Sequence, residues 1–291
     1  MMDAWTLTRQ LGGKWCGGAG QAPCPVCQPE RRRGQIALSI KDGDNGRLLL
    51  YCFKAGCNFK EIAFATSLPF ELPVIDHISQ LKVKEMRVAK TLENLKSARL
   101  YWRRAKPIEG TKAEAYLRSR GITCPMPESL RFLPDLYHTP SGQWCCAMLG
   151  NVGPTGGVHR TFLTKQGQRL NRNAKMMLGP CAGGAVRLSG SAGPLLVCEG
   201  IETGLALLSG LLSGPHEVWA ALSASGFNPL ELPPEPRKLI IATDSDDNGV
   251  GEMAGNALAT RAAALGWRVS LLPAPKGKDW ADVLAMKGAA A

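Results

Sequence analysis

Past residue 194 the chain alternates short apolar runs with helical periodicity. Runs at 195–198, 218–222, 238–243 and 268–272 read as strands, while 202–212 and 252–265 read as helices. Taken in turn, they imply a small parallel sheet covered by helices. Upstream, 82–105 places Val88, Leu92, Leu95 and Trp102 at helical spacing, with Lys90, Lys96, Arg99, Arg103 and Arg104 over the remaining surface. This is an amphipathic basic helix, its charged face either solvated over a packed neighbour or in contact with phosphates. Nearer the start, 35–51 alternates like a hairpin, and 65–80, with Pro69 and Pro73 and little periodicity, reads as a linker.

Composition adds limits. A chain of 291 residues suffices for about two domains. No stretch approaches the roughly 18 uninterrupted apolar residues of a membrane span, and the first residues lack a basic start and apolar core, so a cytoplasmic location without membrane partners is expected. Lys and Arg number 35 against 24 Asp and Glu, a net +11 that attracts polyanions without saying which. Ten cysteines without an export signal point away from disulfides and toward metal wherever they cluster.

They cluster once. Cys24 and Cys27 form a CPVC knuckle, and Cys52 and Cys57 follow after the hairpin that would carry them back to it. Four thiolates in two pairs suit tetrahedral Zn²⁺, which staples a segment too small for its own core; Cys16 is an alternative ligand. A structural site closed by four protein ligands leaves no open position for substrate, so this module would position nucleic acid, with Arg31, Arg32 and Arg33 beside the knuckle available to phosphates.

A second chemistry lies in the acids. The first C-terminal strand ends at Glu199-Gly200, and the third ends at Asp244-Ser245-Asp246. Strand ends on one edge of a parallel sheet share a crevice, and alternation sends Asp244 and Asp246 to one side of it, where Glu199 can join them. Like charges packed this closely call for a cation, and Mg²⁺ suits a few carboxylates with substrate phosphates. Asp279, in KGKDWADVL, is either a further metal ligand or the cap of the last helix.

The runs LLVCEGIETGLALL, KLIIATDSDDNG and KGKDWADVL resemble the Toprim domain of DnaG-type primases, topoisomerases and some nucleases, in the variant common on phages and mobile elements. CPVC with YCFKAGC resembles a primase zinc-binding start, although family members often carry His where Cys27 stands. AYLRSRGI, SLRFLP and GGVHRTFLTKQGQRL resemble the first part of a primase polymerase core. The resemblance implies an α/β protein: a zinc-ribbon-like β module at 1–64, a linker at 65–81, a basic α+β middle domain at 82–190 and a Toprim domain at 191–291. It implies primer synthesis from NTPs on single-stranded DNA, with Mg²⁺ or Mn²⁺ held by Glu199, Asp244, Asp246 and Asp279. By motif position, Arg160, Lys165 and Lys175 would meet template and nucleotide phosphates.

No GxxxxGK[ST] loop occurs, so unwinding would fall to a helicase in trans. Two alternatives share the features: a Toprim nuclease using the same metals to activate water, and a non-catalytic DNA-binding accessory protein. The intact acidic set speaks against the latter, because idle carboxylates repel phosphate.

Overall fold

A computed structural model describes residues 2–16, 18–32, 34–43, 47–68, 77–171, 173–190, 192–245 and 249–289, the side chains of 77–83 and 288–289 excepted. Arg33, Asp246, Pro69 and Pro73 lie outside the described residues. The chain divides into two compact units, Met1–Gln80 and Leu81–Ala291.

In the first unit, Asp3 opens α1 (Ala4–Gln10) as its N-cap by accepting the Thr6 N–H at 2.7 Å. Strands β1 (Lys14–Cys16), β2 (Ala19–Ala22), β3 (Leu38–Asp42) and β4 (Leu48–Cys52) follow as an antiparallel sheet in sequential order. The expected hairpin is β3–β4, and its register sets Leu38 opposite both Ala22 and Cys52. Cys52 is thereby carried to the end of β2, where the CPVC knuckle begins. Asn58 and Glu61 form a reciprocal capping box that starts α2 (Phe59–Ala65) just past Cys57. Leu7, Leu11, Leu38, Ile40 and Ile62 make up the core.

The long helix α3 (His77–Arg104) leads to the second unit. Its apolar stripe is not the buried seam that periodicity predicts: Val88 and Leu92 are exposed. Among its described side chains contact is confined to the last turns, where Ala98 is buried and Tyr101 and Trp102 lie against Leu133, Leu149 and Phe162. A helix buries what its neighbour can reach, and the neighbouring sheet does not reach Val88 and Leu92.

That sheet consists of β5 (Lys106–Pro107), β6 (Leu130–His138), β7 (Gln143–Val152), β8 (Gly157–Leu163) and β9 (Lys175–Leu178), antiparallel and in sequential order. Helix α4 (Lys112–Ser119) packs on its other face through Ala113, Tyr116 and Leu117. The second sheet holds β10 (Val186–Arg187), β11 (Leu195–Cys198), β12 (Glu217–Ala220), β13 (Lys238–Thr243) and β14 (Arg268–Pro273) in the order β10-β12-β11-β13-β14. All its pairings are parallel except β10 with β12. Helices α5 (Ile201–Ala206), α6 (Val250–Ala264) and α7 (Trp280–Ala289) complete it. The helix expected over 202–212 ends early: beyond Ala206 a π turn runs to Leu211, and Gly210 takes φ 103°.

The two sheets share a core. Leu117, Ile122 and Met148 from the antiparallel part and Leu196, Leu205 and Leu284 from the parallel part belong to one buried cluster. The opposite face of the parallel sheet has its own, with Leu239 and Ile241 against Leu258 and Phe227. Among the described residues no helix is long and apolar enough to cross a membrane.

Candidate active site

Because β11 is flanked by β12 on one side and β13 on the other, the chain changes direction across it, and the crevice at such a switch point lies beyond the carboxyl ends of the strands. Glu199 follows β11 directly, and Asp244 follows β13. The Asp244 N–H donates to Glu199 Oε1 at 3.4 Å. Thr203, one turn into α5, donates its hydroxyl to Asp244 Oδ1 at 3.3 Å. Gly251 opens the remaining wall: a methyl group there would collide with the Glu199 carboxylate and press on the Asp244 carbonyl. The Ser245 N–H to Lys278 carbonyl bond, 3.1 Å, draws the loop after β14 across and brings Asp279 to the cleft. Of its two expected parts Asp279 plays the cap: Oδ1 accepts the Asp282 N–H at 2.7 Å at the start of α7, while Oδ2 stands 4.0 Å from the Arg120 guanidinium.

The result is a cleft of about 170 Å³ lined by the acids Glu199, Glu202, Asp244 and Asp279 and by the cations Arg120, Arg169 and Lys175. Burial, reinforced by the carboxylates of Glu199 and Asp279, pushes the Asp244 carboxyl up to about 7. Carboxylates that line one cleft and repel one another suit a divalent cation, although among the described residues only the four cysteines bring three or more ligand atoms within 4.8 Å of one another. Glu202 goes the other way: burial alone would raise it, but the Lys175 ammonium outweighs that and holds it at about 2.

In the first unit, the sulfurs of Cys24, Cys27, Cys52 and Cys57 all lie within 4.8 Å of one another, and those of Cys27 and Cys52 are 3.6 Å apart. Four sulfurs at Zn–S distances of 2.3 Å stand about 3.8 Å apart, so the set fits Zn²⁺. Burial pushes Cys27 up to about 12; at Cys52 the N–H groups of Ala55, Cys57 and Lys54 outweigh burial and bring the thiol down to about 6. Cys16, exposed on β1, is not in the cluster.

Residues 194–290 match the family model of the Toprim domain. The C-terminal domain is a Toprim domain. Such a domain implies divalent-metal binding, which agrees with the donor set at the cleft. Ahead of the Toprim domain, residues 93–188 match a family described as a domain of unknown function, DUF7146. No curated protein matches the chain. Among solved structures, the crystal structure of the Aquifex aeolicus primase (zinc-binding and RNA polymerase domains) is similar over 99% of this chain and 80% of that one, at 15% identity and a TM-score of 0.39.

Of the residues singled out in the sequence, the Toprim cleft gathers Glu199, Asp244, Asp279 and Lys175. Arg160 and Lys165 do not line it. Arg160 is half-buried on β8, where it donates to the Met177 carbonyl at 3.0 Å and lies over the Phe162 ring. Lys165 is exposed in the turn after β8. In the first unit, Arg31 and Arg32 are exposed, and Arg31 donates to the Gln10 carbonyl at 3.4 Å. His159 is buried and lowered to about 4 by burial, hence neutral. Among the cleft residues that escaped sequence reasoning are Arg120, Arg169, Glu202 and Thr203. Glu202 and Thr203 had a signal, since positions three and four beyond Glu199 on the following helix return to its side. Arg120 and Arg169 had none, because only the tertiary fold brings them to the Toprim acids.

Proposed function

We propose that this protein is a DNA primase, synthesising short RNA primers from NTPs on single-stranded DNA by metal-dependent nucleotidyl transfer. The observation that carries the reading is the cleft itself, where three cations from the antiparallel part face four acids of the Toprim domain. A nucleotidyl transfer needs both kinds of group within one triphosphate's length. A nuclease needs the acids, but has less call for three cations beside them. The four-cysteine module, absent from the needs of bare Toprim chemistry, supports a protein that holds a template.

Glu199, Asp244 and Asp279, with Asp246 in the adjoining segment, would hold Mg²⁺ or Mn²⁺. A divalent cation there supplies Lewis-acid activation of the primer 3′-hydroxyl and neutralises charge on the departing pyrophosphate. Lys175, Arg169 and Arg120 bind phosphate oxygens, Arg through its planar fork and Lys as a point charge. Thr203 orients the Asp244 carboxylate. The zinc module and its exposed arginines engage the template, and a replicative helicase in trans supplies it single-stranded.

The test is labelled-NTP incorporation on single-stranded DNA with Mg²⁺ or Mn²⁺. Templated oligomers are expected from wild type, and their loss from Asp244→Ala with Asp246→Ala. No product from wild type, or undiminished product from the double variant, refutes the reading. Cleavage of the DNA without NTPs would assign the cleft to a nuclease.

A further inference from the structure

Lys175 lines the same cleft as Glu199, Asp244 and Asp279, and its charge is felt at the Asp244 carboxyl. Its ammonium nevertheless donates to Glu202 Oε2, at 2.8 Å. The two partners are unlike in freedom: the Lys175 side chain is 38% exposed, that of Glu202 7%. Glu202 is fixed at both oxygens. It sits in the first turn of α5, and its Oε1 accepts the Tyr116 hydroxyl of α4 at 3.2 Å. The carboxylate is therefore a rigid anchor and the lysine a tether that ends on it.

The alternative resting place for that ammonium is the carboxylate cluster. A cation on a short flexible tether competes with free ions at an effective concentration on the order of millimolar. Ammonium and Mg²⁺ seek the same oxygen lone pairs, so a lysine released from Glu202 would occupy the position of the metal.

We propose that Glu202 is a positioning residue that holds the Lys175 ammonium off the Glu199–Asp244–Asp279 carboxylates, leaving those oxygens to a divalent cation. The inference rests on the reading of this cleft as a metal-dependent site, and it gives a role to a buried acid that the transfer step does not itself require. It also keeps Lys175 poised at the edge of the cleft, where a phosphate can share it.

Mn²⁺ titration followed by electron paramagnetic resonance on the full zinc-loaded chain tests it. Glu202→Asp keeps the charge but withdraws the carboxylate by one methylene. Its apparent Kd for Mn²⁺ is expected to rise about tenfold, as for other supporting residues of metal sites, and to return to within about twofold of wild type when Lys175→Met is added. Unchanged affinity in Glu202→Asp, or a loss that Lys175→Met leaves in place, overturns the proposal. A loss seen in Glu202→Gln alone would assign Glu202 to the general field of the cleft and overturn it as well. Should Glu202→Asp fail to fold, Tyr116→Phe frees one carboxylate oxygen with no change of charge; a smaller loss, again relieved by Lys175→Met, is then expected. Wild type that binds Mn²⁺ but makes no primer refutes the primase reading alone, and the same titration still decides the role of Glu202. Wild type that binds no Mn²⁺ takes both down.

Discussion

Asp244 titrates near 7 against an ordinary 3.8 because it is buried beside two like charges. A carboxyl raised in the folded state contributes stability that is complete below pH 3.8 and is lost as pH climbs through about 7. The wild-type melting temperature minus that of Asp244→Asn, taken without divalent ions, is therefore expected to fall between pH 5 and pH 8. The difference removes the opposite contribution of His159, whose stability is full above 6.5 and is lost as pH falls through about 4. Mg²⁺ at pH 8 should raise the wild type and leave Asp244→Asn where it was. A difference that is flat with pH, or an equal Mg²⁺ effect in both proteins, would contradict the account of the cleft. Glu202 predicts an acid limb of its own: held at about 2 against 4.5, it stabilises fully above 4.5 and gives up that stability as pH drops toward 2. Glu202→Gln should lose this limb in acid denaturation followed by circular dichroism, and an unchanged limb would count against the Lys175–Glu202 pair.

At the scale of elements, Gly251 separates two demands on α6. Alanine is the better helix former by about 1 kcal/mol, yet a methyl group here strikes Glu199. Gly251→Ala is expected to keep the melting temperature within a few degrees while weakening Mn²⁺ binding about tenfold, read by calorimetric titration. Equal metal affinity would show that Glu199 can shift without cost. The elements also show what the sequence exposes and what it hides. Glu199 and Asp244 were legible because each ends an apolar run, and a strand end in a parallel sheet has one destination. The four cysteines were legible because metal spacing is short and local. Arg160 was not: β8 is covered on both faces, so alternation gives no hint of where its charge points. Val88 and Leu92 misled for the converse reason, since periodicity describes a helix face but not the length of the surface that meets it. The early end of α5 turns on backbone geometry at Ser209 and Gly210 that no apolar spacing encodes.

For the whole molecule, the division at Gln80/Leu81 predicts two thermal transitions by scanning calorimetry. A zinc ion held by the four cysteines would contribute folding free energy to its own module. A zinc chelator is therefore expected to lower or abolish one transition and leave the other, which belongs to the unit with the Toprim cleft. A common shift of both would show that the units melt together. On the primase reading, affinity for single-stranded DNA is expected to fall steeply with salt, because exposed lysines and arginines would displace counterions from phosphates; a salt-independent affinity would remove the electrostatic basis of the proposed template binding.

One consequence concerns what can be inherited or borrowed. Leu196, Leu205 and Leu284 of the parallel sheet and its helices are buried in the same cluster as Leu117 and Met148 of the antiparallel sheet. A gene fragment beginning at residue 194 would thus be born with an oily flank and is expected in inclusion bodies, however faithfully it preserves the acids. Shuffling between proteins has to move residues 81–291 as one cassette, and a mutation on either side of residue 194 is selected in the company of the other.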